Sequence, residues 1–133
     1  MTRGDAKNGT QLSRRGRWGE DVAVRLLRSK GHRILCRNWR AGHGEVDIVS
    51  VDGTVLVFVE VKTRRETDRI GGFAPAVSAA KKRVLRIVIE RFMILHGDNY
   101  PHFRFDVVEV LTRGNLFAAD HIFHYEGVPL GDF

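Results

Sequence analysis

Two stretches of the chain carry apolar residues at helical spacing. The first runs from about Ser13 to Lys30, and Gly31 follows it as a helix stop. The second runs from Ala74 to His96, where Ser78 caps a possible start and Gly97 closes the helix. The apolar stripe of this second helix, which we expect to lean toward a sheet, consists of Val84, Leu85, Val88, Phe92 and Leu95.

The remaining apolar segments have the composition of strands. Residues 32–40, 103–111 and 118–125 each contain a short β-rich run. Residues 45–62 contain two such runs on either side of Asp52-Gly53, a strong hairpin signal because Gly adopts the positive φ that a type I′ turn requires. Residues 63–73 are predicted to form a charged loop. The predicted order αβββαββ indicates an α/β protein with a flexible tail at 1–12 and a single domain at 13–133.

Length and composition narrow the class of protein. A chain of 133 residues suits one domain with its own hydrophobic core. The single cysteine, Cys36, excludes an internal disulfide and a cysteine-based zinc site. No apolar run approaches the ~20 residues of a membrane helix, and no signal peptide is visible at the start. We therefore expect a cytoplasmic protein without a membrane partner.

Positive charge is concentrated in a few segments. Lys and Arg number 22 against 16 Asp and Glu, a formal net charge of +6. Such an excess favours nucleic acid as a partner. One cluster directly follows the hairpin and another opens the second helix; the basic residues that we expect to contact phosphates are Arg64, Arg65, Arg69, Lys81 and Lys82. The alternative is a solvated loop for the three arginines and a snorkelling side chain for Lys81.

Acidic residues occupy the hairpin where buried strands are usually apolar. If Asp52-Gly53 is a two-residue loop, Glu45 lies opposite Glu60. Asp47 then lies opposite Phe58, one diagonal step from Glu60. Because side chains alternate between the two faces of a strand, Glu45, Asp47, Glu60 and Lys62 share one face. A shift of one residue in either strand would separate them.

This acidic face predicts a cation site. Two carboxylates ~4 Å apart repel by about 4 kcal/mol at an effective dielectric of 20, and one lysine cannot balance three acids. A hard divalent cation, Mg²⁺ or Mn²⁺, prefers oxygen ligands such as those of Asp47 and Glu60. With Lys62 beside it, such a site could hydrolyse phosphodiesters. Alternatively, Asp47 and Glu60 make ordinary cross-strand pairs, while Glu45 and Lys62 are solvated at strand ends.

These segments carry a family resemblance. Gly44–Val49 (GEVDIV) followed by Val57–Arg64 (VFVEVKTR) resembles the core of the PD-(D/E)xK nuclease superfamily, although Val46 replaces the proline of that motif. Residues 16–125 as a whole resemble the YraN family of small, endonuclease-like bacterial proteins. Further matching segments are Gly16, Gly19-Glu20, Leu35–Asn38, Ala76–Ser78 with Lys81, and Arg104–Val108. The resemblance implies a restriction-endonuclease-like α/β core with a mixed central sheet flanked by helices, similar to archaeal Holliday junction resolvases.

The resemblance also implies roles for single residues. Asp47 and Glu60 would be metal ligands and Lys62 the catalytic lysine. Glu20 would be an accessory catalytic acid, or else a first-turn acid favoured by the helix dipole. Glu45 would be a further acid or a structural one.

Three functions remain open at this point. One is a divalent-metal-dependent nuclease acting on DNA rather than RNA, with branched DNA among the candidate substrates. Another is a nucleic-acid-binding protein that keeps the nuclease fold with little or no catalysis. The third is a structural or partner-binding protein whose acids are vestigial. A homodimer is expected only by analogy with the resolvases.

Overall fold

The computed structural model describes residues 11–68, 77–114 and 117–133, and the side chains from residue 14 onward. Most of the predicted tail lies outside these ranges, but its last two residues are helical because the first helix already begins at Gln11. The elements are α1 Gln11–Ser29, β1 Arg33–Ala41, β2 Gly44–Asp52, β3 Val55–Arg65, α2 Ala79–His96, β4 His102–Thr112 and β5 Ala119–Tyr125. This confirms the predicted order αβββαββ.

The strands form one mixed sheet in the order β1-β2-β3-β4-β5. Neighbouring strands are antiparallel except β3 and β4, which are parallel along Val55–Arg65 and His102–Thr112. Parallel neighbours need a crossover, and α2 provides it. The predicted α/β fold with a mixed sheet flanked by helices is therefore confirmed. Within the described residues, neither helix is long and apolar enough to span a membrane.

The two helices cover opposite faces of the sheet. On one face, Leu56 and Phe58 of β3 pack with the α2 side chains Leu85, Val88 and Phe92. On the other face, Val57 and Val59 of the same strand pack with residues of α1 such as Leu27. Strand β3 is thus buried on both sides, which explains its nearly continuous apolar sequence. An acid within this strand therefore needs a partner or a function.

Helix α2 buries a narrower stripe than its sequence suggests. Its buried residues are Leu85, Val88, Ile89 and Phe92. The prediction that Val84 and Leu95 belong to the same stripe is wrong, since both are exposed. Both lie on the flank of the helix, where Val84 borders Gly44 at the start of β2. The predicted start is correct, since Ser78 accepts a hydrogen bond from the Lys81 N–H.

The hairpin turn lies one residue further along than predicted. Asp52 pairs with Val55, so the two-residue loop is Gly53-Thr54, and Gly53 has a φ of 64°. A glycine at the first position of such a loop is typical of a type II′ turn. The predicted pairing of Glu45 with Glu60 and of Asp47 with Phe58 is therefore wrong. Because moving the turn by one residue shifts the pairing by two, each side chain keeps its predicted face as far as Ile48 and Val59, where the ladder ends. Beyond it the alternation of β2 breaks, since Val46 packs on the α2 side and Ile48 on the α1 side, and the prediction that Glu45 shares a face with Glu60 is wrong.

Strand β3 continues into the segment predicted as a loop. Thr63, Arg64 and Arg65 remain paired with β4, which runs alongside as far as Thr112. A short 3₁₀ turn at Glu66–Asp68 follows. Arg64 and Arg65 consequently lie on a strand of fixed direction. The predicted phosphate contact Arg69 lies outside the described residues.

Candidate active site

Strands β2 and β3 separate at the predicted acidic positions. Their ladder ends with Ile48 opposite Val59, so Asp47 and Glu60 are the next residues on the two strands. The N–H of Val61 donates to Oδ2 of Asp47 at 2.7 Å. The carboxylate of Asp47 thus accepts a hydrogen bond from a backbone N–H of β3 at the point where the regular strand pairing ends. This brings the Asp47 carboxylate between the two strands.

The environment of Asp47 opposes its ionisation. Burial, followed by the negative charge of Glu60, raises the pKa of Asp47 from 3.8 to about 8. The hydrogen bond from Val61 lowers the pKa of Asp47 and only partly offsets this rise, while Glu20 and Glu45 add smaller increments to it. The acids predicted to act together are therefore close enough to repel one another. Such a site gains stability from any added positive charge.

Glu60 is buried and only partly satisfied. Its side chain is 7% exposed, and its Oε2 lies 3.5 Å from Nζ of Lys81, which reaches over from α2. Its other oxygen, Oε1, is buried without a hydrogen-bond partner in the described structure. An orphaned carboxylate oxygen is costly in a protein interior. It therefore marks a position where a ligand would be stabilising.

Asn38 joins the two remaining acids, and the sequence analysis did not assign it a role. Its side-chain amide donates to both oxygens of Glu20 at 3.2 Å and to Oε2 of Glu45 at 2.9 Å. Its φ of 52° is positive, which is uncommon for a residue other than glycine. An asparagine within a strand-like segment was the available signal, because asparagine is depleted in strands and tolerates this conformation.

Glu20 reaches the site from the middle of α1. The alternative that it is a first-turn acid is wrong, because the helix begins at Gln11. Burial raises its pKa, although Asn38 and Arg37 oppose that shift. The helix approaches β3 closely here, since a Cβ at Gly19 would collide with the side chain of Thr63. Gly19 therefore permits the contact that brings Glu20 near the sheet.

Lys62 and Glu45 lie at the margin of the site. Lys62 is half-buried and follows Glu60 by two positions on β3, so both side chains point to the face covered by α2. Glu45 accepts from Asn38 and pairs with Arg40 at 3.0 Å. The structure thus brings the four predicted acids and Lys62 to one end of the sheet.

The acids do not converge as tightly as a preformed three-carboxylate cage. Across residues 11–68, 77–114 and 117–133, one group of three His, Cys, Asp or Glu residues has ligand atoms within 4.8 Å of each other, and it consists of Glu66, Asp120 and His121. None of the predicted metal ligands belongs to it. The candidate centre is therefore built on two carboxylates, Asp47 and Glu60.

The predicted phosphate-binding residues differ in their surroundings. Arg64 donates twice to Oε2 of the fully buried Glu109, at 2.9 and 2.7 Å. Arg65 pairs with Asp68 on the surface at 2.9 Å. Lys81 contacts Glu60, as described above, and Lys82 is half-buried beside it on α2. Arg64 is thus engaged in an internal ion pair, and the phosphate contacts of the others stay a prediction.

Comparison with known proteins identifies the family. The model of the "Uncharacterised protein family UPF0102" matches residues 19–110. The chain belongs to this family, the YraN family. A UPF0102 protein of Symbiobacterium thermophilum is 48% identical over 74% of this chain and 84% of its own length. A UPF0102 protein of Mycolicibacterium vanbaalenii is 44% identical over 80% of this chain and 88% of its own length. A UPF0102 protein of Mycolicibacterium gilvum is 42% identical over 96% of this chain and 99% of its own length. The predicted resemblance is therefore confirmed.

A solved structure aligns with this chain at low similarity. The structure described as "Structure of EndoMS-dsDNA2 complex" aligns with 74% of this chain at 22% sequence identity and a TM-score of 0.41. The UPF0102 chain spans 38% of the length of that protein.

Proposed function

We propose that this UPF0102 protein is a divalent-metal-dependent phosphodiesterase that acts on nucleic acid, with DNA rather than RNA as its substrate. The observation that carries the proposal is the pair Asp47 and Glu60 at the point where β2 and β3 separate. One acid has a pKa raised to about 8, and the other has a buried oxygen with no partner. Groups perturbed in this way are typical of functional sites.

The residues present fit a hard divalent cation. All donors offered by Asp47 and Glu60 are carboxylate oxygens, which Mg²⁺ and Mn²⁺ prefer. Oε1 of Glu60 has an unused acceptor site, and Asp47 carries the destabilised charge that a cation would neutralise. Asp47 and Glu60 would therefore hold the ion. When bound, it would supply Lewis-acid activation of water and neutralise charge on the phosphate.

The other side chains would orient the reactants. The ammonium of Lys62, on the same face as Glu60, would bind a phosphate oxygen or orient the attacking water. Asn38 holds Glu20 and Glu45 together at the margin of the site. Glu20, whose pKa is raised by burial, could accept a proton from water. Each role depends on the backbone positions that the two helices and the split hairpin provide.

The basic residues near the site support a polyanionic substrate. Lys81 and Lys82 open α2, and Arg65 ends β3, so positive side chains flank the acidic centre. Contacts to phosphates would release counterions, and binding would weaken steeply as salt increases. The net charge of +6 favours the same class of ligand.

Cleavage of labelled nucleic acids tests the proposal. Duplex, single-stranded and four-way DNA and matched RNA would be incubated with the protein and Mg²⁺ or Mn²⁺. We expect cleavage of DNA that chelators abolish, with losses of at least about 100-fold in Glu60→Gln and Lys62→Met. Lys30→Met is the matched control, since Lys30 lies with His124 and Glu126, away from the acids. A wild-type protein no more active than Glu60→Gln on every substrate would refute the proposal.

A binding protein without catalysis is the second candidate, and one contact favours it. Lys81 already provides a cation to Glu60. If the acids are stabilised in this way alone, nucleic-acid binding would persist in Glu60→Gln, and Mn²⁺ would not raise the melting temperature. A salt titration of DNA binding and a thermal shift series with Mn²⁺ distinguish the two functions. Failure to bind any polynucleotide at ~50 mM salt would contradict both.

A further inference from the structure

Helix α2 has a second apolar face that nothing covers within the described structure. Ile87 and Ile94 are 57% and 72% exposed, which is unusual for large aliphatic side chains so close together. Together with Ala80 they lie seven residues apart and follow one line along the helix. We call Ala80, Ile87 and Ile94, with the flanking Arg83, Val84, Glu90 and Arg91, the outer α2 face.

The outer α2 face is self-complementary under two-fold symmetry. When two identical helices pack antiparallel, residues on one flank meet residues on the same flank of the partner helix. Arg83 and Glu90 share a flank, where they lie four residues before and three residues after Ile87. An antiparallel copy centred there would place Arg83 opposite Glu90 of the second copy, twice by symmetry. The same register places the small Ala80 opposite the large Ile94.

We propose that the protein forms a homodimer in which the outer α2 faces of two copies pack antiparallel around Ile87. Opposite charges and matching side-chain sizes coincide in this one register, which favours a second copy of the chain over an unrelated partner. Parallel packing would instead bring opposite flanks together, so Arg83 would face the flank that carries Val84 and Arg91 rather than Glu90.

A groove beside this face extends the contact. It has a volume of about 260 Å³ and is bounded by Val84, Ile87 and Arg91 on α2 and by the β1–β2 turn at residues 41–44. The helix contact from Ala80 to Ile94 spans about 21 Å, or four turns. A helix contact of this length buries less surface area than a standard-size interface. We therefore expect a weak dimer with a dissociation constant of about 10 µM. The inference concerns a different surface from the acidic site.

Site-directed cross-linking tests the register. In a Cys36→Ser background, Ile87→Cys should form an intermolecular disulfide under mild oxidation, because position 87 meets its own counterpart at the symmetry axis. Ile94→Cys alone should not, because its counterpart would lie about 21 Å away, beyond the ~7 Å limit for Cα atoms joined by a disulfide. A mixture of Ala80→Cys and Ile94→Cys proteins should give the heterologous cross-link. Equal cross-linking at 87 and 94 would refute the antiparallel register.

Charge reversal tests the ion pairs in solution. Arg83→Glu and Glu90→Arg should each weaken dimerisation at least about 10-fold in sedimentation equilibrium, and the double variant should recover it. Arg25→Glu, an exposed charge reversal on α1, is the control and should leave the dimer intact. A wild-type protein that stays monomeric at about 100 µM, or a double variant that does not recover, would overturn the proposal. Loss of DNA cleavage has no bearing on this result.

Discussion

Replacing Asp47 with asparagine should stabilise the metal-free protein at neutral and alkaline pH. The substitution removes the charge that burial and Glu60 oppose, yet retains the size of the side chain. The amide oxygen of asparagine can still accept the hydrogen bond that Asp47 receives from the Val61 N–H. The variant therefore isolates the electrostatic cost of the site from its packing.

The pKa of Asp47 gives the magnitude. A rise from 3.8 to about 8 means that, between about pH 4 and pH 8, the folded protein retains a proton that the unfolded chain has released. Because the folded state then binds more protons, its stability falls as the pH rises through this window. A shift of about 4 pH units corresponds to a ceiling of about 6 kcal/mol. Water that enters when Asp47 ionises would reduce this, so we expect about 2–4 kcal/mol in favour of Asp47→Asn at pH 8.

Urea unfolding across pH 4–9 in the presence of a chelator measures the effect. The wild-type protein should lose stability relative to Asp47→Asn as the pH rises, and the two should converge near pH 4. Asp21→Asn is the control, since Asp21 is an exposed carboxylate paired with Arg37. Adding Mn²⁺ at pH 8 should then stabilise the wild-type protein and leave Asp47→Asn nearly unchanged.

Two results would contradict this reasoning. If Asp47→Asn is no more stable than the wild-type protein at pH 8, the burial and repulsion inferred for Asp47 do not operate. If the difference between the two proteins does not change with pH, its origin is packing rather than ionisation. If the stability difference changes with pH as expected but Mn²⁺ has no effect, the electrostatic argument for Asp47 holds. The proposed cation site would then be contradicted.

Three further substitutions test the supports of the site. Gly19→Ala should lower the free energy of unfolding by about 1–3 kcal/mol, because the new methyl group collides with Thr63. Gly16→Ala has open space around the new methyl group and should raise the free energy of unfolding by about 0.5–1 kcal/mol. Thermal unfolding of the two variants measures the difference. Asn38→Ala should cost about 1–2 kcal/mol in chemical unfolding, and Asn38→Gly less, because glycine accepts the positive φ. Arg64→Ala should cost about 2–4 kcal/mol in urea unfolding by weakening the pairing of buried Glu109, and Arg65→Ala should change little because its ion pair is exposed.

The sequence predicted the shared face of Glu60 and Lys62 although it misplaced the turn, but it did not predict the break in the alternation of β2 between Val46 and Ile48. Alternation along a strand depends on the parity of the pairing, and the true loop at Gly53-Thr54 preserves that parity. The separation of β2 and β3 beyond Ile48 and Val59 could not be predicted in the same way. There the carboxylate of Asp47 accepts the Val61 N–H in place of a ladder bond, and such a replacement carries no periodic signal.

The two faces of α2 show where periodicity stops being informative. Apolar residues surround most of this helix, so the pattern alone predicted a stripe that includes Val84 and Leu95. The sheet selects the four residues that are buried, because only one side of a helix can contact a flat surface. The remaining apolar residues then need another explanation, and the proposed antiparallel contact with a second copy of the helix provides one. For this reason, the oligomeric state can be argued from the structure, whereas the sequence supported it only by analogy.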